Sequence, residues 1–64
     1  MKNVLKYKGY IGSIFFSEED GVYHGKVEFI RDLVNYEASE VDALEASFHE
    51  AVDDYLEALR FAKI

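Results

Sequence analysis

The chain is expected to fold as an α+β domain, with a three-stranded antiparallel sheet followed by one long helix packed on it. Three observations predict this. Aromatic and β-branched residues crowd the positions before residue 38, broken by turn residues. Apolar residues then step by threes and fours from Val41 to Leu59, the spacing of one helix face. The composition changes only once, near residue 38, and no proline or low-complexity tract divides the chain. It is therefore read as a single domain over residues 1–64.

The first strand is expected over about residues 4–16. Tyr10, Gly12, Ile14 and Phe16 would share one face, and Ile11, Ser13 and Phe15 the other. Gly9 and Gly12 would weaken it and mark a bulge or a close backbone approach. Glu18 to Gly21 turns the chain, because Asp20-Gly21 suits a turn that needs a positive φ. The second strand is expected over about residues 22–30, with Tyr23, Gly25, Val27 and Phe29 facing the core. A third, short strand follows over residues 33–37. Short connections favour an antiparallel meander.

The helix is expected over about residues 40–62. Ser39 is placed at its N-cap, and Asp42 three residues on gives a capping-box-like start. Val41, Leu44, Phe48, Ala51, Val52, Tyr55, Leu56 and Leu59 form its apolar stripe. A helix of this length is ~33 Å long, more than a small sheet can cover. Its end, with Leu59, Phe61 and Ile64, is expected to overhang or to pack on another copy.

Size and charge narrow the function. A chain of 64 residues hides only ~60% of its unfolded surface. With no cysteine there is no disulfide staple, so oligomerisation is the remaining common source of buried area, and a homo-oligomer is expected. No apolar run approaches the ~20 residues that span a bilayer, and Met1-Lys2-Asn3-Val4-Leu5-Lys6 lacks a signal-peptide core. The reading is a soluble cytoplasmic protein with no membrane partner. Residues 1–36 carry five bases and five acids, so the net charge of −6 lies wholly on residues 37–64. That half repels phosphate backbones and attracts basic partners.

Catalytic patterns are lacking. His24 and His49 are the only histidines, and His49 with Asp53 one turn on supplies at most two metal ligands where three or four are needed. Asp53, Asp54 and Glu57 read as solvated helix acids rather than paired catalytic carboxylates. No nucleophile set, phosphate loop or nucleotide fingerprint is present. No enzyme activity, cofactor or metal is expected, and the rival reading is a nuclease remnant using Asp53, Glu57 and His49. The aromatic sheet lacks the positive groove that single-stranded nucleic acid needs.

The run Tyr7-Lys8-Gly9-Tyr10-Ile11-Gly12-Ser13-Ile14, then Glu18-Glu19-Asp20-Gly21 and His24-Gly25-Lys26-Val27, resembles the opening of HicB-type antitoxin domains. Ile30-Arg31-Asp32-Leu33-Val34 with Tyr36-Glu37, and the helix segment from Phe48 to Leu56, are similar to that family as well. The resemblance implies a reduced ribonuclease H-like fold without the nuclease carboxylates. It implies a non-catalytic domain that neutralises HicA, a small basic mRNA-cleaving toxin, by covering its active site. Where the family often has glycine after its Tyr/Phe-Glu pair, this chain has Ala38. The sequence stops at Ile64, just after the helix. The family's DNA-binding segment, and with it direct nucleic-acid binding, is therefore not expected here. The charges placed at the toxin interface are Glu18, Glu19 and Asp20 on the hairpin tip, with Glu50, Asp53, Asp54 and Glu57 on the helix. The alternative is a solitary homo-oligomeric domain of this fold, with a regulatory or small-ligand role and no toxin.

Overall fold

The computed structural model of the chain describes residues 4–62. Five strands precede one helix: β1 (Val4–Tyr7), β2 (Tyr10–Ser13), β3 (Phe15–Ser17), β4 (Val22–Lys26), β5 (Asn35–Ala38) and α1 (Val41–Ala62). The class is α+β, as the sequence predicts. The sheet differs from a plain three-stranded one: β1 and β2 form a two-stranded sheet, and β3, β4 and β5 a three-stranded one. A bridge between Gly12 and Val27 joins the two, with the Glu28 N–H donating to the Ile11 carbonyl beside it.

The expected first strand over residues 4–16 is in fact a hairpin and a half. Tyr7 pairs with Tyr10, which leaves Lys8 and Gly9 as a two-residue turn. Both have positive φ, 53° and 83°, the backbone that matches the twist of adjacent strands. Gly9 is thus a turn residue and not a bulge. Lysine at the first turn position hides the signal, because asparagine or aspartate is the usual occupant.

The gap between β2 and β3 is a rotated peptide without an inserted residue. Gly12 lies opposite Val27 and Phe15 opposite His24, so the register is unbroken across it. Inside the gap the Ser13 hydroxyl takes over the ladder. It accepts from the Lys26 N–H at 3.0 Å and donates to the Lys26 carbonyl at 3.4 Å. The Ser13 carbonyl turns inward and accepts the Tyr36 hydroxyl at 2.8 Å. This needs glycine on both sides. A Cβ on Gly25 would run into the Ser13 carbonyl, and one on Gly12 into the Tyr36 hydroxyl and the Phe48 ring.

The second strand stops short of its expected end at residue 30. Val27 is buried, but Phe29 has a φ of 61° and is 89% exposed. The left-handed backbone there ends the alternation that would have sent Phe29 inward. The third strand begins at Asn35, and Leu33 lies exposed in the loop before it. The first helical backbone bond runs from the Leu44 N–H to the Glu40 carbonyl. That puts the cap position at Glu40, one residue later than Ser39.

The core is Leu5, Val27, Tyr36, Leu44, Phe48 and Val52. Leu44, Phe48 and Val52 are spaced by four and fully buried, so the central part of the predicted stripe lies on the sheet. Its two ends do not, since Val41 and Leu59 are each about two-fifths exposed. The overhang is therefore real at Leu59 and Phe61, while Lys63 and Ile64 lie outside the described residues. The helix makes the molecule long, with extents of 43 × 21 × 18 Å.

Candidate partner-binding surface

All seven acids assigned to an interface are exposed, but the fold does not gather them. Glu18, Glu19 and Asp20 form the loop between β3 and β4. Gly21, at a φ of 66°, donates its N–H to the Ser17 carbonyl at 2.8 Å and closes that loop, as the Asp-Gly signal predicts. The adjacent row is Phe16, Tyr23 and Ala38, and Ala38 leads directly into α1. The tip acids therefore sit where the helix begins. Asp53 sits at the other end of the sheet, beside the Lys8-Gly9 turn, with Glu57 one helical turn further on. Glu57 is ~24 Å along the axis from Val41.

Within the helix the acids divide again. At about 100° per residue, Glu50, Asp54 and Glu57 lie away from the Leu44–Phe48–Val52 stripe and face outward. They have no ion-pair partner among the described residues. Asp53 lies as far from the stripe as Asp54 but on the side of the β1–β2 turn, and it is already engaged. Lys8 Nζ lies 2.9 Å from its Oδ1, and the Tyr7 hydroxyl donates to its Oδ2 at 3.2 Å. The Lys8 hydrogen bond holds the Asp53 carboxyl below its ordinary range, with smaller help from Tyr7 and from the charges of Lys8 and His49. Asp53 in turn holds the Lys8 ammonium above its ordinary value. Asp53 thus has a partner within the chain that the sequence did not announce.

The histidines are separated by the sheet. His49 stacks on Tyr7 with ring centroids 4.0 Å apart and 16° between planes, and Lys8 Nζ lies 5.2 Å from the same ring. Tyr7, Lys8, His49 and Asp53 together fasten the β1–β2 hairpin to the helix. His24 points from the opposite face, between Phe15 and Glu37 in one cross-strand row, with the Phe15 ring 5.7 Å away. Among the described residues no three His, Cys, Asp or Glu side chains are placed to share a metal ion.

The uncovered face of the sheet is the other surface of note. It curves around a hollow of about 610 Å³ whose lining includes Phe15, Val22, His24, Lys26 and Glu37. Sequence reasoning placed Phe15 on a strand face but not on an open one. The Lys8 contact with Asp53 gave no sequence signal, since the two are 45 positions apart.

No protein-family model, curated protein or solved structure shows a significant match to the chain. Among the described residues no helix is long and apolar enough to cross a membrane.

Proposed function

We propose that the chain is a non-catalytic, HicB-like binding domain that neutralises a small basic HicA-type toxin by covering its active site. The observation that supports it most is the outer face of α1. Glu50, Asp54 and Glu57 are exposed and unpaired with any described residue, along a helix whose half of the chain holds the whole net charge of −6. Such a field steers a basic, RNA-binding protein toward the face, and apolar contacts then hold the complex. The tip acids Glu18, Glu19 and Asp20 extend the negative field beyond the start of the helix, and Asp53 contributes through its pair with Lys8 rather than as a contact.

The test is an RNA-cleavage assay with a purified HicA-type toxin. An equimolar amount of the chain should suppress cleavage at low salt and lose its grip as salt rises, because exposed charges are screened over ~8–10 Å. Glu50→Lys, Asp54→Lys and Glu57→Lys together should restore cleavage. Undiminished cleavage in excess wild-type chain rejects the reading.

A second reading, self-association without a toxin, is favoured by the apolar surface. Among the described residues, eight large apolar side chains are two-fifths or more exposed, against six in the core. Salt separates the two, since apolar self-association does not weaken as salt rises.

A further inference from the structure

We propose that the uncovered sheet face pairs with the same face of a second copy, giving a two-sheet sandwich with the helices outside. The inference does not depend on toxin binding: the helix acids Glu50, Asp54 and Glu57 lie on the opposite side of the molecule and only the tip residue Asp20 borders both surfaces, so either can fail alone.

An antiparallel sheet with a helix on one face normally alternates to polar residues on the other. Here the register sets Val4, Ile11, Phe15 and Val22 on the open side. Phe15 is 57% and Val4 47% exposed. Because a two-fold contact brings a patch against itself, the patch must also tolerate its own charge. This one nearly does: Lys6 and Lys26 offset all but one of the charges of Asp20, Glu28 and Glu37. The outer helix face does not, because Glu50, Asp54 and Glu57 would meet their own copies.

The sandwich also settles where the acids go. Packed sheets lie ~10 Å apart, and each helix is a further ~10 Å out. The two acidic faces are then ~30 Å apart, well beyond the ~8–10 Å screening distance. The hollow of about 610 Å³ on this face gives the partner's Phe15 a place to enter. The face measures roughly 20 by 17 Å from strand spacing and rise, small beside the ~800 Å² per partner of a standard interface. The dimer should therefore be concentration-dependent, with a Kd in the range of roughly 10 µM to 1 mM.

Sedimentation of the purified chain across that range tests it. The wild type should shift from the 7.4 kDa chain to twice that mass. Phe15→Asp should weaken the dimer at least ~30-fold, whereas Phe61→Asp, on the outer helix face, should not. The chain has no cysteine, so Glu50→Cys takes a single spin label without touching the interface. In the dimer its label-to-label distance should exceed ~30 Å. That measurement decides the matter if Phe15→Asp fails to fold. A wild type that stays monomeric to ~1 mM, a folded Phe15→Asp dimer of unchanged affinity, or labels within ~20 Å overturns the proposal.

Discussion

Tyr36 concentrates more of the fold's demands than any other side chain. Its ring packs on Phe48 with centroids 5.3 Å apart, and its hydroxyl donates to the inward-turned Ser13 carbonyl. Tyr36→Phe keeps the ring but strands that carbonyl. It should cost ~1–3 kcal/mol, read as a lower urea midpoint with an unchanged slope. Burial, with a smaller push from Glu28, raises the Tyr36 hydroxyl to about 12 from its ordinary 10.0. The native state therefore keeps its proton where the unfolded chain has lost it. Stability is whole below the ordinary value of 10.0 and falls as pH climbs from there to about 12. Denaturation midpoints measured across that window should decline in the wild type and decline less in Tyr36→Phe. The Asp53–Lys8 pair acts in the opposite sense: it supports the fold above the ordinary carboxylate pKa, and the support fades as pH falls through the lowered one. Both groups are exposed, so the effect is small.

At the scale of elements, the loop between β4 and β5 carries an odd residue. Phe29 holds a left-handed backbone and an almost fully exposed ring, so it loses conformational energy and gains little packing. Asparagine adopts that backbone more readily. Phe29→Asn should leave stability unchanged or raise it by up to ~1 kcal/mol, and a drop in melting temperature would show that the ring makes a contact of its own. The same loop shows why parts of the fold escape a sequence reading. Period-two alternation locates a strand but not its end, so Val27 was legible as core and Phe29 was misassigned with it. Asp20-Gly21 announced its turn through a residue pair with known chemistry, whereas Lys8-Gly9 did not. The helix was legible almost throughout, because Leu44, Phe48 and Val52 repeat over three turns. The acids Glu50, Asp54 and Glu57 could be placed outward from that same stripe. Asp53 could not be matched to Lys8, since tertiary contacts leave no local period.

For the molecule as a whole, the margin is thin. A 64-residue chain has a stability of roughly 3–10 kcal/mol. Phe48 is fully buried between the glycine gap and Tyr36. Phe48→Ala should cost ~3–5 kcal/mol, enough to leave much of the protein unfolded by circular dichroism. Asp53→Ala, at the exposed latch, should lower the melting temperature far less. A comparable loss for both would mean that the hairpin latch, and not the helix stripe, holds the halves together. Self-association adds to the apparent stability by mass action. The melting temperature should therefore rise with protein concentration if the open sheet face is paired.

The glycine gap around Tyr36 also gives the protein an intrinsic gauge. The chain has no tryptophan, so the ultraviolet absorbance of its tyrosines is unmasked. Ionising Tyr36 requires the Ser13 carbonyl to give up its donor, and therefore requires the hydroxyl and that carbonyl to part. The tyrosinate signal that Tyr36→Phe removes would time that parting after a jump to alkaline pH, with no dye or label attached.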